Sequence, residues 1–564
     1  MAWLNAAVFL VVLLLAAHAL APYLTAVFQG RRTFLTPLAA PLERLFYRLC
    51  GIEPDSEMTW SEYTFALLGV SAAAGALLYL VLRTQQWLPL NPQHFPNMSP
   101  ELAWNTAVSF ITTTDWQFYS GENALSYLSQ MTGLAWQNFM AGAAGLAASV
   151  AIIRAFALGG ATRMGNFWVD LTRSIVYVLL PLCFIFGLLF AWQGIPQNFN
   201  AYVTATNAER FSQSITGGPI ASQEAPKLIG GNGGGFVAAN SASPNENPTG
   251  FSNFLELLAI WILPATLPLV FGRMIGNPRA GRVLLATILA AALLAFVAAQ
   301  FAEQAGNPLV HQLGVTGGNM EGKEVRFGIP NAGLSLTVAS DSGTGSSNFA
   351  YDSLTPFGGL IAMVNMQLSE VIFGGVGSGL YGLIVFAVLT VFITGLMVGR
   401  TPEYLGKKIG VREVQFATLS ILIFPLLILL AAAVAAVTKP GLAVLENAGP
   451  HGFSEILYGF TSIAANNGSA FAGLGSNLFY DIVTGIVMLG GRFLVMIPTI
   501  AMAAAVAARP KNDAVTLGTL RTENALFGVL LLSVILIVGA LTFLPADALG
   551  PIAEHLFMNQ GTTF

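Results

Sequence analysis

Hydrophobic residues concentrate in ten long runs along the chain, and shorter polar segments separate these runs. A run of about 20 apolar residues with few charges is typical of a helix that spans a lipid bilayer. The pattern therefore predicts an all-α polytopic membrane protein. Its ten predicted transmembrane helices cover residues 2–24, 62–83, 131–158, 172–193, 252–272, 281–301, 360–399, 415–437, 478–508 and 524–545.

Composition supports this fold class, since 55% of the 564 residues are hydrophobic and only 9% are charged. Soluble domains carry about 25% charged residues. The formal net charge of −4 is too small to indicate a nucleic-acid partner, and the two distant cysteines indicate neither a disulfide framework nor a metal site. The first apolar run lacks the preceding positive charges of a signal peptide, so we interpret residues 1–30 as containing a retained helix.

Lysine and arginine residues divide unequally between the two sides of the predicted membrane. Seventeen lie on one side, six on the other, and one, Arg492, lies within a predicted helix. Loops rich in positive charge face the cytoplasm, so we predict that the side with 17 is cytoplasmic and that both termini face outward. The outer loops are longer than the inner ones and cover residues 84–130, 194–251, 302–359 and 438–477.

Each long outer loop contains a short polar stretch before an apolar helix. We name these stretches polar loops 1 to 4, and they are ITTTDWQFYSGEN (111–123), GGNGGGFVAAN (230–240), SGTGSSNFAYD (342–352) and AANNGSAFAGL (464–474). Aligning the four loops places Asp115, Gly233, Gly345 and Gly468 in one column, and Thr114, Asn232, Thr344 and Asn467 in the column before it. Short runs that fit half-helices precede loops 1 and 4.

The predicted unit is a helix, an outer half-helix, a polar loop and a second helix, repeated four times. Non-helical backbone at membrane depth is tolerated only where it is buried in protein or lines a water-filled cavity. Four such loops around one axis would present rings of carbonyl oxygens, which can replace the hydration shell of K⁺. Ordinary Gly/Ser/Asn turns are the alternative, and Asp115 fits a helix cap or a surface charge as well as a pore-facing charge.

These motifs give the sequence its resemblance to the potassium-binding, ion-translocating component of the bacterial Kdp potassium-transporting ATPase. The resemblance covers essentially the whole chain and rests on TTTDWQ (112–117), GNGGGF (231–236), ENPTGFSN (246–253), GRMIGNPRAG (272–281), NMEGKEVRFGI (319–329), VNMQLSEVIFGGVGSGLYG (364–382), GRTPEYLGKKI (399–409) and NNGSAFAGL (466–474). It implies a member of the potassium-transporter superfamily. Its four pore repeats would cover 62–158, 172–272, 281–399 and 415–508, between an N-terminal helix within 1–30 and a C-terminal helix within 520–564.

The resemblance implies that the polar loops form an outer selectivity filter whose ligands for K⁺ are backbone carbonyls. The implied filter residues are Thr113, Thr114, Asp115, Gly231, Asn232, Gly233, Gly343, Thr344, Gly345, Asn466, Asn467 and Gly468, and Gln117 would stand behind the first loop. Two loops depart from the family pattern, since TTTDWQ replaces the familiar TNTNWQ and GTGSSN replaces CGAVN. Backbone ligands preserve the expected selectivity, whereas Asp115 puts the expected affinity in question.

Glycine and polar residues interrupt the seventh predicted helix between Val364 and Tyr381. The gate or tunnel candidates are Glu370, Gly374, Gly375, Gly377, Gly379 and, in the ninth helix, Arg492. The resemblance implies that K⁺ leaves sideways toward the pump component at this break, whereas close helix packing is the alternative role of the glycines. The charge of Arg492 would oppose ion leak, and a structural ion pair or snorkelling to the inner surface is its alternative role.

The sequence contains no P-loop, no phosphorylation motif and no inner segment of domain length, so we expect neither an ATP site nor a catalytic site in this chain. The resemblance implies K⁺ as the transported ion and the bacterial inner membrane as the location. It implies three partners, a P-type ATPase and two small proteins, which are the Kdp subunits B, C and F. Arg400, Lys407 and Lys408 are candidates for docking a partner, although the positive-inside rule explains them equally well.

Two other functions compete with this hypothesis. A stand-alone, channel-like potassium transporter of the Trk or Ktr type would share the four-loop filter, but the additional first and tenth helices and the broken seventh helix favour the pump component. A metabolite carrier with broken helices would be built from two inverted halves, whereas here four motifs run in one direction.

Overall fold

The computed structural model describes residues 2–369, 371–399, 401–511 and 520–562, and within them the protein is almost entirely helical. In chain order the α-helices are α1 (Ala2–Phe28), α2 (Thr36–Cys50), α3 (Trp60–Thr84), α4 (Pro100–Ile111), α5 (Gly121–Ala124), α6 (Trp136–Ala157), α7 (Phe167–Arg173), α8 (Leu180–Gln193), α9 (Ile220–Ile229), α10 (Gly250–Met274), α11 (Pro278–Gln304), α12 (Pro308–Gln312), α13 (Gly328–Ser340), α14 (Pro356–Gln367), α15 (Ser378–Met397), α16 (Val411–Val437), α17 (Lys439–Leu442), α18 (Gly449–Ala465), α19 (Leu478–Leu489), α20 (Val495–Ala507), α21 (Ala525–Asp547) and α22 (Ala553–Asn559).

Short segments of other geometry extend or connect these helices. Among the described residues, four π-helical segments cover Ser129–Ala135, Ser174–Leu179, Gly490–Leu494 and Ala548–Ile552, and three 3₁₀ turns cover Gln85–Trp87, Asn240–Ala242 and Tyr351–Ser353. Two small antiparallel hairpins pair β1 (Val203–Thr206) with β2 (Ser212–Ile215) and β3 (Glu403–Tyr404) with β4 (Lys407–Lys408). In register, Val203 lies opposite Ile215 and Glu403 opposite Lys408.

Ten helical segments of the described chain are long and apolar enough to cross a membrane. They cover Trp3–Phe28, Trp60–Trp87, Ser129–Ala157, Phe167–Gln193, Gly250–Met274, Pro278–Gln312, Ser378–Met397, Val411–Val437, Leu478–Ala507 and Ala525–Asn559. Each overlaps one predicted span, so the predicted fold class, an all-α polytopic membrane protein with ten spans, is confirmed.

The seventh predicted span, 360–399, is two helices rather than one. Helix α14 ends at Gln367 and α15 begins at Ser378, and residues 368–377 connect them in an irregular path. The backbone at Ser369, Phe373, Gly374 and Gly377 has positive φ, which is incompatible with a continuing right-handed helix. The interruption therefore lies within the segment that the glycine pattern indicated.

Side-chain caps explain where several helices begin. Before α3, Thr59 Oγ1 accepts from the Glu62 backbone N–H and the Glu62 carboxylate accepts from the Thr59 N–H at 2.8 Å. Before α4, Ser99 accepts from the Leu102 N–H, and Pro100 has no N–H that needs a partner. Such caps satisfy backbone donors that have no partner inside the helix.

The third and fifth spans lie at the centre of the molecule, and the first and last lie at its periphery. Within their most apolar windows, 83% of Ser129–Ala157 and 94% of Gly250–Met274 are buried, against 28% of Trp3–Phe28 and 22% of Ala525–Asn559. The inner spans are therefore surrounded by protein, whereas most of the first and tenth spans faces the surroundings of the chain.

Four short helices with mostly buried residues lead into the four polar loops. Helices α4, α9, α13 and α18 each come after a membrane span, and each ends where a polar loop starts. The order of span, short helix, polar loop and span thus occurs four times, with the second span of the third unit broken into α14 and α15.

Candidate functional site

Backbone hydrogen bonds turn the chain sharply out of the short helices and into the polar loops. In loop 1, the N–H groups of Thr114 and Asp115 both donate to the Ser109 carbonyl, at 3.0 and 3.2 Å. In two other loops, the residues five and six positions after the acceptor residue donate in the same way. The equivalent donors are Asn232 and Gly233, to the carbonyl of Lys227, and Asn467 and Gly468, to the carbonyl and hydroxyl oxygens of Ser462. Loops 1, 2 and 4 therefore place their aligned residues in equivalent positions.

Side-chain hydrogen bonds join each polar loop to the next and close a ring in the order 1, 2, 3, 4. Every link joins an amide or hydroxyl group of one loop to a polar group of its neighbour. The links are Gln117 Oε1 accepting from the Gly235 N–H (2.9 Å), the hydroxyls of Ser346 and of Ser241, which directly follows loop 2 (2.8 Å), Asn467 Nδ2 donating to the Ser342 carbonyl (2.6 Å) and Asn466 Nδ2 donating to Thr114 Oγ1 (2.9 Å).

The loops approach one another so closely that two aligned positions have no room for a side chain. A Cβ atom on Gly468, where φ is +89°, would collide with the Thr114 carbonyl oxygen. A Cβ atom on Gly233, where φ is +100°, would lie 2.6 Å from the Gly345 backbone nitrogen. Glycine is the residue that adopts this backbone conformation without steric cost. Both positions therefore require glycine, because φ is positive and because a Cβ atom has no space.

Buried oxygen atoms without a hydrogen-bond partner occur at the ring. In the part of the chain that the structure describes, both carboxylate oxygens of Asp341 and the hydroxyl of Thr344 are buried and unpartnered, and the Asp115 carboxylate is buried beside Asn232. Burying a charged carboxylate alone is costly unless a proton or a cation neutralises it. Polar loop 1 and polar loop 3, with the residue that precedes loop 3, therefore offer side-chain oxygens, in addition to backbone carbonyls, to a cation.

The segment between α14 and α15 packs against loops 2 and 3. The Gly374 N–H donates to the Asp341 carbonyl, directly before loop 3, at 2.8 Å. A Cβ on Gly231 of loop 2 would lie 3.0 Å from the Val376 backbone nitrogen, and a Cβ on Gly375 would lie 3.7 Å from the Gly343 Cα of loop 3. Gly377 lies against the Gly145 carbonyl of α6. The break is therefore in direct contact with the polar loops and with a central span.

Tight packing also constrains the remaining residues of this segment. A Cβ atom on Gly379 would collide with the Phe373 carbonyl, and the Phe373 ring stacks on Trp261 of α10 with ring centroids 3.9 Å apart. Gly374 has a positive φ of 63°. Glu370, the acidic candidate of the same segment, lies outside the described residues.

Arg492 lies in the π-helical segment between α19 and α20, and its side chain is buried. Within the described residues, its guanidinium donates to the Ala141 carbonyl of α6 at 3.3 Å. It lines a cavity of about 50 Å³ together with Asn466 of loop 4 and Ser369 of the α14–α15 segment. The structure therefore places this cation beside the fourth polar loop and the helix break.

The docking candidates occupy different environments. Lys407 is fully buried in the β3–β4 hairpin, and its ammonium group donates to the Ala155 carbonyl at the end of α6 at 2.9 Å. Lys408 is exposed, and Arg400 lies outside the described residues. Because Lys407 is engaged within the chain, Lys408 is the described lysine of this hairpin that is accessible to a partner.

A buried charge cluster behind loop 2 was not recognised from the sequence. The Lys227 ammonium of α9 lies 2.8 Å from Glu224 and 2.6 Å from Glu246, and all three side chains are at most 1% exposed. Glu246 Oε1 also accepts from the Val237 N–H at 2.7 Å. The presence of Lys227 and Glu224 in the short segment immediately before a glycine-rich loop was the available signal.

Asp341 was also missed, because it precedes the motif of loop 3 by one residue. It caps the C-terminal end of α13, and its carbonyl oxygen holds Gly374 of the helix break. Its side chain is fully buried. The available signal was a charged residue directly before a polar motif, and the motif alignment did not include that residue.

Comparison with known proteins identifies relatives of the whole chain. The family described as "Potassium-transporting ATPase A subunit" matches residues 7–556. The chain is 52% identical to a "Potassium-transporting ATPase potassium-binding subunit" of Methylorubrum populi over 564 residues, which cover 100% of this chain and 98% of that protein. Proteins of the same description from Methylobacterium nodulans (51% identical; 100% and 98% covered) and Granulibacter bethesdensis (49% identical; 100% and 99% covered) are equally extensive matches.

Proposed function

This chain belongs to the family of potassium-transporting ATPase A subunits, and on that premise we propose that it captures K⁺ in the ring of polar loops and passes the ion to a P-type ATPase partner. ATP hydrolysis by that partner drives high-affinity potassium import. The observation that carries the proposal is the closed ring of four loops, each joined to the next by side-chain hydrogen bonds.

The chemistry of the ring suits K⁺. Backbone carbonyls from the aligned residues supply neutral oxygen ligands, which replace the hydration shell of a large monovalent cation. The ligands proposed are the carbonyls of residues 113–115, 231–233, 343–345 and 466–468. The buried Asp115 carboxylate adds a negative charge at the first loop when it is ionised, and that charge attracts cations.

The helix break forms the inner boundary of this binding site. Its contacts with loops 2 and 3 obstruct a straight path through the molecule, so the ion leaves sideways toward the ATPase partner. Arg492 lines the cavity beside the break and repels cations from a direct route to the cytoplasm. Glycines at the break allow the close approach to α6 and to the polar loops.

The proposed setting is the bacterial inner membrane, with both termini on the outer face and the basic loops in the cytoplasm. The P-type ATPase and the two small Kdp subunits C and F complete the complex. The chain itself contributes no ATP site and no catalytic site, and the exposed Lys408 contributes to docking a partner.

Potassium uptake from micromolar external concentrations tests this proposal, in cells that lack other potassium importers. The complete complex and this chain alone are compared, each with and without the substitution Gly468→Asp. We expect uptake only with the ATPase partner and a severe loss with Gly468→Asp, because the added side chain collides with the Thr114 carbonyl.

Gly250→Asp is the matched control, because Gly250 begins α10 and no atom lies within 4 Å of an added Cβ there. An acidic residue in the first helical turn is favourable, so this variant should transport normally. Uptake by the chain alone, driven by the membrane potential, would contradict the proposed role in a pump and favour a channel-like transporter of the Trk or Ktr type.

A further inference from the structure

Helix α2 is amphipathic and exposes an apolar face. Leu38, Leu42, Leu45 and Leu49 recur on that face at intervals of three or four residues, and they are exposed together with the neighbouring Phe46. A helix that presents apolar side chains on one face and basic residues beside them lies in the interface of a membrane. Helix α2 connects the first two spans on the side rich in lysine and arginine.

A second face of α2 holds the helix against the protein. The Glu43 carboxylate accepts hydrogen bonds from Arg173 at 3.0 Å and from Tyr177 at 2.7 Å, both in the fourth span. Tyr47 of α2 donates to the same carboxylate at 2.7 Å and is buried. The carboxylate is therefore fully engaged with neighbours, and α2 is anchored at a defined depth beside the fourth span.

Between α2 and the fourth span lies an apolar groove with a volume of about 800 Å³. Leu38 and Leu42 of α2 line one end of the groove, and Leu180, Phe184 and Leu188 of α8 line its length. Its lining extends along the span from residue 176 to residue 191, which corresponds to roughly 20 Å of helix. A groove of this length and composition accommodates a lipid acyl chain.

Four arginines lie on α2 or shortly before it in the chain. Arg31 and Arg32 precede α2, whereas Arg44 and Arg48 lie on the helix, and all four are exposed. None of the four takes part in an ion pair within the described residues, and the Glu43 carboxylate of α2 forms its ion pair with Arg173. The positive charge on α2 and on the residues before it is therefore available to an anionic group.

We infer that the groove between α2 and α8 is a binding site for an anionic phospholipid of the inner leaflet, with its acyl chain along α8 and its phosphate at the arginines of α2. The site lies apart from the ring of polar loops and does not depend on its ion selectivity. Clusters of basic residues beside an amphipathic helix attract anionic lipid headgroups. A transmembrane helix from a partner protein is the competing occupant. The arginines favour the lipid because their positive charge attracts its phosphate group.

Native mass spectrometry of the purified complex tests this site with two probes, phosphatidylglycerol and phosphatidylcholine of the same acyl chains. We expect tighter binding of phosphatidylglycerol, weakened about fivefold for each arginine removed in Arg44→Gln and Arg48→Gln. The control is Arg273→Gln with Arg412→Gln, two exposed arginines of α10 and α16, which contribute no residue to the groove lining, and these changes should leave binding unchanged.

A second variant tests the groove itself. Gly187→Leu adds a side chain at a position that lines the groove, and the nearest atom to its Cβ, the Ala221 carbonyl oxygen, is 3.7 Å away, so the Cβ itself meets no steric conflict. We expect it to reduce binding of both lipids and to shift the crosslinks of a photoreactive phosphatidylglycerol away from α8. Equal binding of the two lipids, unchanged binding in the arginine variants, or crosslinking of Phe184→Cys to a partner protein rather than to lipid would overturn the inference.

Discussion

The side-chain amide of Asn466 donates a hydrogen bond to the Thr114 hydroxyl at 2.9 Å, which joins the fourth polar loop to the first. The same amide donates to the Met488 carbonyl of α19 at 3.1 Å. Asn466 adopts a left-handed conformation with φ of +57°, which asparagine tolerates better than most residues. One side chain therefore closes the ring and attaches it to the ninth span.

Removing this link should loosen the ring without dismantling it. We expect Asn466→Ala to weaken the apparent affinity for K⁺ by about two- to tenfold, because a net hydrogen bond contributes about 0.5–1.5 kcal/mol. The concentration dependence of potassium-stimulated ATP hydrolysis by the complex measures this effect. Asn123→Ala, at an exposed asparagine that makes none of the links between loops, is the control, and an equal effect of both substitutions would argue against a role for the link.

The carboxylate of Asp115 is predicted to strengthen cation binding through its charge. Asp115→Asn keeps the size of the side chain and removes the charge, so we expect the apparent affinity for K⁺ to fall about tenfold while the maximal rate changes little. Uptake measured against external K⁺ concentration separates the two quantities. Asp55→Asn, at an exposed aspartate between α2 and α3, should have no effect, and unchanged affinity in Asp115→Asn would show that the carboxylate is protonated or points away from the ion.

The Lys227 cluster is predicted to hold loop 2 in place. Lys227→Met leaves Glu224 and Glu246 buried without their cation, and breaking a buried pair costs about 3–5 kcal/mol. We expect a lower thermal midpoint for the purified complex and poorer discrimination of K⁺ from Na⁺ in uptake. The control Lys408→Met removes an exposed lysine instead. A loss of stability of the same size in that variant would contradict the prediction that the buried cluster is specifically required.

His451 at the start of α18 should make stability depend on pH. Burial disfavours its charged form, but hydrogen bonds with Asp352 and Glu554 raise the pKa of His451 to about 10, above the ordinary value of 6.5. The raised pKa means that the folded state binds the proton more tightly than the unfolded chain does. This stabilisation is complete below about pH 6.5 and is lost as the pH rises through about 10.

Thermal unfolding of the complex between about pH 6 and pH 10.5 measures this dependence. We expect the midpoint of the wild-type protein to fall with rising pH, and the fall to be smaller in His451→Gln, which keeps hydrogen-bonding capacity without the titrating charge. Parallel pH profiles for the two proteins would show that other groups control the stability in this range.

The sequence predicted the spans and the polar loops well because each depends on local composition. Ten apolar runs define ten spans, and residues such as Gly374 and Gly377 mark the interruption of the seventh because their backbone angles are incompatible with a helix. The burial of Lys407 was not predictable in the same way. Its position depends on the packing of the β3–β4 hairpin against α6, which is remote in sequence.

The order of the loops around the ring also could not be derived from the motifs. The alignment placed Gly468 and Gly233 in one column, but only tertiary packing shows that Gly468 meets loop 1 and that Gly233 meets loop 3. The roles of Asp341 and Lys227 were missed for a related reason. Each lies outside the polar motif, on the short helix or at its end, and acts through contacts with distant parts of the chain.

The most direct test of the central claim is to locate a bound ion in the ring of polar loops. Rb⁺ is a heavier substitute for K⁺, and crystals of the complex grown with Rb⁺ would give an anomalous difference signal at the ion. We predict a peak enclosed by the backbone carbonyls of Thr114, Asn232, Thr344 and Asn467, which disappears in Gly468→Asp and persists in Gly250→Asp. A peak elsewhere in this chain, with none inside the ring, would contradict the account.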